Sequence, residues 1–175
     1  MSDLSKEVLD AIRYATKMEI QGRSFYEHVA GITASEHGKK VFQRLAQDET
    51  THIHRFGEIF TSVLGNEEWK TYVDSEEVEK KTVLDELKAR VEARGKEEKA
   101  TDLEALRIGL ELERGAIDHY TKAVNSTDDA KVKDIFTKII KEEEYHYDLL
   151  QAQYDSITGS GFWFDMAEFK MDGKF

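Results

Sequence analysis

Two short segments of the sequence each place a glutamate three residues before a histidine, in the middle of an apolar helical pattern. Glu49 and His52 interrupt one apolar stripe in QRLAQDETTHIHRF, and Glu143 and His146 interrupt another in TKIIKEEEYHYDLL. Because residues i and i+3 are neighbours on one helix face, each pair aims a carboxylate and an imidazole at one point. A carboxylate in a core is costly unless it is paired, hydrogen-bonded or bound to a metal. The pattern therefore predicts either a metal site or a buried network of salt bridges.

An internal repeat with an offset of 94 residues relates the two segments. The equivalent polar residues of the two halves are Glu19 and Glu113, Tyr26 and Tyr120, Glu49 and Glu143, and His52 and His146. Four carboxylates and two imidazoles are mixed oxygen and nitrogen ligands, which suit iron, manganese or zinc rather than copper(I). Two divalent cations would balance four carboxylate charges. The repeat favours a dinuclear metal site over the salt-bridge network, because buried ion pairs are poor stabilisers.

Four long helical patterns position these residues. The apolar spacing predicts helices over about 4–30, 36–64 and 129–156. A further helix is predicted to begin near Thr101, where Thr101 and Glu104 have the spacing of a capping box. The absence of proline and the high content of charged residues, 35%, both fit a mostly helical chain.

The segments between the helices differ in length. We predict a short turn beginning at Gly31, and Gly65 is a predicted C-terminal cap of the second helix. The connection 66–100 is charged and contains a predicted short helix over 82–93. Its length fits a crossover along a bundle better than a tight hairpin.

The C-terminal segment 159–175 has a different composition, with five aromatic residues. A segment this apolar is expected to pack on the bundle or on a second subunit. We therefore predict a helical bundle over 1–158, followed by this tail.

Composition excludes several classes of protein. The formal net charge of −11 argues against a general nucleic-acid binder, which presents a basic patch. No apolar run approaches the roughly 18 residues that a membrane span needs. Cysteine is absent, which excludes disulfides and thiolate metal sites. Because the N-terminus lacks the layout of a signal peptide, we expect a cytoplasmic protein.

The ligand pattern resembles the ferritin-like di-iron carboxylate superfamily, and more narrowly the rubrerythrin family, over roughly residues 4–156. This resemblance implies an all-α, ferritin-like four-helix bundle with a long crossover. It implies that two iron ions are bound, with manganese or zinc as alternatives. The implied ligands are Glu19 and Glu113 as single carboxylates, Glu49 and Glu143 as bridging carboxylates, and His52 and His146 as one imidazole for each metal.

The resemblance also implies contacts around the ligands. Asp48 and Glu142 each precede a bridging glutamate, and related proteins use that position to orient the histidine of the opposite half. Asp48 would then orient His146, and Glu142 would orient His52. Tyr26 and Tyr120 are expected either to hydrogen-bond a ligand carboxylate and carry electrons and protons, or to be ordinary core residues. The four remaining histidines, at positions 28, 37, 54 and 119, are expected at the surface.

The sequence departs from rubrerythrins in two respects. Rubrerythrins usually carry a C-terminal rubredoxin-like domain with four cysteines, whereas this sequence has no cysteine. Electrons would then come from a separate protein, such as a rubredoxin-like donor, or from a ferrous substrate. Rubrerythrins also have an extra glutamate at the position of Ala116, whose repeat equivalent is Gly22. The site is therefore closer to the six-ligand pattern of the wider superfamily.

Three functions follow from these features. The leading hypothesis is a rubrerythrin-like, non-haem di-iron oxidoreductase, active as a homodimer in oxidative-stress defence. Its substrates would be hydrogen peroxide, oxygen or ferrous iron. The alternative is a ferritin-type protein that binds and stores iron in a hollow shell without redox turnover. The third is a metal-free structural bundle.

Overall fold

The structure, a computed structural model, describes residues 5–64, 70 and 77–166, except for the side chains of 63, 64 and 77–83. Within these ranges five α-helices are found, α1 (Lys6–Ile32), α2 (Glu36–Leu64), α3 (Glu77–Glu92), α4 (Glu98–Ser126) and α5 (Ala130–Ser160). α1 packs along α2 and α4 along α5, as two hairpins, and α3 contacts both α1 and α4. The predicted all-α four-helix bundle with a crossover is confirmed. None of the described helices combines the length and the apolar character needed to cross a membrane.

Local hydrogen bonds explain where the helices begin and end. Ser5 caps α1 by accepting a hydrogen bond from the Val8 N–H at 3.3 Å, and Asp129 caps α5 through two N–H groups at 3.0 Å. The predicted turn at Gly31 begins two residues later, because α1 runs through Ile32. α5 continues four residues beyond its predicted end at 156, because Gly161 adopts the left-handed conformation that ends it (φ +83°).

The predicted capping box of Thr101 and Glu104 is wrong. α4 begins three residues before Thr101, whose N–H donates to the carbonyl of Glu97 inside the first turn. The Glu104 carboxylate instead accepts hydrogen bonds from Arg90 at 3.1 Å and from Arg94 at 2.8 Å. These arginines come from α3 and the segment after it, so Glu104 fastens the crossover to α4. The helix predicted over 82–93 is present as α3, while Gly65 lies outside the described residues.

Two apolar clusters divide the bundle along its length. The first packs around Phe25, Tyr26, Phe42, Leu106 and Leu150. The second packs around Ile12, Phe56, Tyr120, Phe136 and Ile139. The buried glutamates and histidines of the two halves lie near the middle of their helices, between these clusters. The helices thus shield one polar layer from water on both sides.

The described part of the tail, up to Met166, packs on the first cluster. Trp163 donates a hydrogen bond from Nε1 to Asp102 Oδ2 at 2.9 Å, and its ring meets Phe42 edge-on with 5.7 Å between centroids. The Gln153 side-chain amide exchanges two hydrogen bonds with the backbone of Phe164, at 3.0 and 3.1 Å. The later residues of the predicted tail lie outside the described residues, and the division of the chain at 158 stays a prediction.

Replacing Gly38 by alanine is expected to destabilise the protein, because Gly38 forms the notch that receives Trp163. A Cβ at this position would lie 2.6 Å from Thr33 Cγ2 and 2.8 Å from the Trp163 ring. Overpacking of this kind typically costs about 1–3 kcal/mol. The free energy of unfolding from denaturant titration measures the effect.

The matched control is Gly31→Ala, in α1, where a Cβ would meet nothing within 4 Å. Alanine in a helix is favoured over glycine by about 0.5–1 kcal/mol, so this variant should be neutral or more stable. Equal changes in the free energy of unfolding of the two variants would show that Gly38 is not needed to make room for Trp163.

Candidate metal centre

Six ionisable side chains from four helices meet at the centre of the bundle. They are Glu19 on α1, Glu49 and His52 on α2, Glu113 on α4, and Glu143 and His146 on α5. Each of the six is at most 4% exposed. The Glu-x-x-His spacing has the expected effect. One helical turn brings the carboxylate and the imidazole of α2 to the same layer of the bundle, and it does the same for those of α5. The structure therefore brings together all six side chains that the sequence indicated as metal ligands.

The six side chains form two overlapping sets of potential ligands. One set contains Glu19, Glu49, His52 and Glu143, and the other contains Glu49, Glu113, Glu143 and His146. Within each set, one ligand atom from every residue lies within 4.8 Å of the others. Glu49 and Glu143 belong to both sets, which is the arrangement expected of carboxylates that bridge two metal ions.

His52 turns one ring nitrogen toward the centre and the other outward. Its Nδ1 lies 3.2 Å from Glu19 Oε2 and 3.1 Å from Glu143 Oε1. Its Nε2 lies 2.8 Å from Glu142 Oε2, and Arg55 donates a hydrogen bond to the other oxygen of Glu142. A carboxylate accepts the outer N–H of the ring, which leaves Nδ1 free to bind a metal.

His146 has the same orientation in the other half. Its Nδ1 lies 2.9 Å from Glu143 Oε2, and its Nε2 lies 3.2 Å from Asp48 Oδ2. Arg44 donates to the same Asp48 oxygen at 2.9 Å. The outer contact of each histidine therefore comes from the opposite half of the repeat, at the positions indicated by the sequence.

The two buried tyrosines also cross between the halves. The Tyr26 hydroxyl on α1 donates a short hydrogen bond to Glu113 on α4, and the Tyr120 hydroxyl on α4 donates one to Glu19 on α1. Burial, followed by the charge of the adjacent carboxylates, raises the pKa of both phenols well above the usual range. Both phenols therefore keep their protons at physiological pH and remain hydrogen-bond donors.

The charges of the glutamates control the protonation of the histidines. Burial by itself lowers the pKa of His52, but the charge of Glu19 and the hydrogen bond to Glu142 outweigh it and raise the pKa to about 12. Burial opposes protonation of His146 too, yet hydrogen bonds led by the one to Asp48 raise its pKa well above 6.5. Without metal, both rings are cationic at neutral pH.

The pKa values of the buried carboxyl groups shift in different directions. Burial, and then the charge of Glu143, raises the pKa of Glu113 to about 8, and burial raises the pKa of Glu49 well above its usual range. Burial acts on Glu143 in the same direction, but the hydrogen bond to His146 and the nearby charge of His52 outweigh it and hold its pKa far below the usual range. Protons thus compensate the buried charge, and metal ions that bind here must displace them.

The donor set fits two divalent cations. Among the described residues no group donates a hydrogen bond to the buried Oε1 of Glu143, and His52 Nδ1, which lies 3.1 Å away, hydrogen-bonds to Glu19 instead. An orphaned buried carboxylate oxygen is costly, and a cation between Glu143 and His52 would satisfy it. Both inward Nδ1 atoms have the orientation that the same cations need.

A cavity of about 40 Å³ lies beside the shared carboxylates, between α1 and α4. A single water needs about 10–15 Å³ by this measure, so the cavity admits a molecule of a few heavy atoms. Its wall includes Glu49, Glu143 and the small residues Gly22 and Ala116, together with Met18, Glu19, Gln21, Tyr26, Leu112, Glu113 and Tyr120. A Cβ on Gly22 would lie 3.4 Å from Glu49 Oε2, so glycine leaves room next to a carboxylate that belongs to both ligand sets.

Two arginines of the site were missed by the sequence analysis. Arg44 lies four residues before Asp48, and Arg55 lies three residues after His52, which are spacings of neighbours on a helix face. That spacing was the available signal. The surface expectation for the other histidines holds for the exposed His37 and His54, but positions 28 and 119 are partly buried by packing between helices.

A comparison with protein families finds a match to the Rubrerythrin family model over residues 10–154, which includes all four bundle helices. The match contains no rubredoxin-like domain, and it identifies the bundle as ferritin-like. No curated protein and no solved structure matches the chain.

Replacing Glu142 by glutamine is expected to weaken metal binding by about 10–100-fold, the usual cost of losing a group that orients a metal-bound histidine. Glutamine keeps the size of the side chain but removes the charge that holds His52 Nε2. Equilibrium titration of the metal-free protein with Zn²⁺ or Fe²⁺ measures the dissociation constant. The control is Glu144→Gln, two residues away and exposed. Equal affinities for both variants would show that Glu142 does not support a metal ligand.

Proposed function

The chain belongs to the rubrerythrin family, and from that premise we propose that it is a non-haem di-iron oxidoreductase. In this proposal it reduces hydrogen peroxide or oxygen to water, or oxidises ferrous iron, as part of the defence against oxidants. The family supports oxidoreductase activity in general, and the particular reaction is our proposal.

The main support is the pair of overlapping ligand sets that share Glu49 and Glu143 beside a small cavity. A structural salt-bridge network needs no cavity and has no reason to leave Glu143 Oε1 without a donor. A site that only holds iron needs no space next to the shared carboxylates. The cavity, about 40 Å³, matches an oxidant with two heavy atoms, such as hydrogen peroxide or oxygen, and is too small for an organic hydroperoxide of many atoms.

When bound, two redox-active ions would supply electrons and open coordination positions for the oxidant. The ligands proposed for one ion are Glu19 and His52, and those for the other are Glu113 and His146, with Glu49 and Glu143 between them. Asp48 and Glu142 hold the imidazoles in the orientation that keeps Nδ1 inward. The apolar clusters on either side keep bulk water from the ligands.

The tyrosines hold protons where the reaction needs them. Reduction of peroxide to two waters consumes two electrons and two protons. Tyr26 and Tyr120 line the cavity, and each hydroxyl proton lies on a hydrogen bond to a ligand carboxylate. In our proposal these phenols position Glu113 and Glu19 and give the cavity a local source of protons.

The electrons would come from an external donor. The chain has no cysteine, and therefore no rubredoxin-type iron site of its own. We propose a separate rubredoxin-like protein as the electron donor, and a homodimer as the active form.

The decisive test is anaerobic reconstitution with ferrous iron, followed by addition of hydrogen peroxide and a reductant. We expect about two iron ions per chain, as the paired ligand sets require, and steady peroxide consumption. The double variant Glu49→Ala, Glu143→Ala should retain little iron and lose the turnover, because it removes both shared carboxylates. Loaded protein that leaves peroxide unconsumed would contradict the enzyme proposal, and assembly of that protein into a large shell would favour storage.

Replacing Gly22 by valine is expected to obstruct the cavity without removing a ligand. Iron content should stay near that of the parent, while the rate of peroxide consumption at low peroxide falls by at least about tenfold, the scale of a misfit of one or two methyl groups. Gly31→Val is the matched control, since this position is open on the same helix. If the two variants consume peroxide equally well, the cavity is not the oxidant site.

A further inference from the structure

One short series of aromatic rings connects the metal centre with the surface. Tyr120 donates its hydroxyl hydrogen bond to Glu19, and its ring lies 5.9 Å from the ring of His119, centroid to centroid. The His119 ring lies 4.6 Å from that of Tyr14, which is 52% exposed. His119 is held in place by a contact of 3.1 Å between Nε2 and the carbonyl oxygen of Ala11. Two ring-to-ring steps therefore separate a buried phenol at the site from a phenol in contact with water.

A comparison of the two halves of the repeat shows that helix packing does not require a tyrosine at position 14 or a histidine at position 119. The equivalents of Tyr14 and His119, 94 residues away, are Ile108 and Phe25, and both are fully buried. That side of the bundle is covered by the crossover helix α3, whose Leu84, Leu87 and Val91 belong to the same apolar cluster. The opposite side of the bundle is exposed to solvent at Tyr14. There the chain has a phenol and an imidazole, whereas the covered side has an aliphatic side chain and a phenyl ring.

The other rings around Tyr120 lead to no second phenol. Among the described residues these are Phe56 at 5.6 Å and Phe136 at 5.5 Å, which contact each other at 5.0 Å. The repeat equivalent Tyr26 stacks on Phe42, whose ring leads to the indole of Trp163 and, among the described residues, to no second phenol. The described rings that contact Tyr120 therefore give it one route to another phenol, through His119 to Tyr14.

We propose that Tyr14, His119 and Tyr120 form a one-electron route into the metal centre, and that Tyr14 is the surface site where a small water-soluble reductant delivers electrons. This inference rests on the proposed oxidoreductase function, which supplies hydrogen peroxide as the oxidant. It adds a reductant class, one-electron donors such as ascorbate or a thiol, to the protein donor proposed above.

The steps balance in electrons and protons. Hydrogen peroxide is the oxidant: of the two electrons that its reduction to water consumes, one comes from Tyr120, whose phenolic proton passes along the hydrogen bond to Glu19, and the other would come from the bound metal. Tyr14 then gives one electron to the Tyr120 radical across His119, Glu19 returns the proton to Tyr120, and Tyr14 releases its own proton to water. The reductant finally gives one electron to the Tyr14 radical, which takes a proton back from water.

The test is freeze-quench electron paramagnetic resonance on ferrous-loaded protein mixed with excess hydrogen peroxide, with and without ascorbate. We expect a phenoxyl signal in the parent that ascorbate removes, and a nitroso spin trap should label Tyr14 as seen by peptide mass spectrometry. In Tyr14→Phe the phenoxyl signal should persist whether or not ascorbate is present. Tyr14→Trp, which restores an oxidisable ring, should recover the dependence on ascorbate.

Tyr147→Phe is the matched control, because Tyr147 is a tyrosine on α5 whose hydroxyl accepts a hydrogen bond from Arg114, away from the cavity. It should behave as the parent does. Peroxide consumption is measured in every sample. If peroxide is consumed while Tyr14→Phe responds to ascorbate as the parent does, or while no phenoxyl signal forms, the route is disproved and the proposed function stands. If the parent consumes no peroxide, the proposed function fails and the route fails with it.

Discussion

The structure depends on compensating the charge of four carboxylates that are buried at one point. An ionised carboxylate in an apolar interior is too costly to persist alone, and Glu143 is fully buried. In the metal-free chain two imidazolium groups and the carboxyl protons of Glu49 and Glu113 supply the compensation. Metal ions can do the same with the protons removed. The same pocket can therefore hold protons or cations, and the fold tolerates both because the total charge is balanced in each case.

This constraint also explains why the two halves depend on each other. Each ligand set takes three residues from one hairpin and one, Glu49 or Glu143, from the other. The hydrogen bonds around the ligands cross as well, since Tyr26 reaches Glu113 and Asp48 reaches His146. Neither hairpin can complete a metal site or neutralise its own carboxylates alone. The polar centre therefore adds specificity to helix pairing, because apolar clusters alone tolerate sliding of one helix along another.

The parts of the site that follow from helical periodicity could be predicted from the sequence. The spacing of Glu49 and His52, and its repetition 94 residues later, places six polar groups on buried faces whatever the details of packing. Contacts between elements could not be predicted in the same way. Glu104 has the right spacing for a cap, yet it binds Arg90 and Arg94 because the crossover brings them there. The Gly38 notch for Trp163 joins residues whose distance in sequence gives no signal.

The positions where the repeat is broken carry information that the repeat itself does not. Equal helices and equal ligands make the centre nearly two-fold, but the crossover helix covers only one side of it. On the covered side the chain has Ile108 and Phe25, and on the open side it has Tyr14 and His119. A similar break occurs next to the ligands, where Arg55 reaches Glu142 at the surface, while its repeat equivalent Leu149 is fully buried. Since both halves supply the same ligands, differences in access for electrons, protons and ions must come from these unequal surroundings.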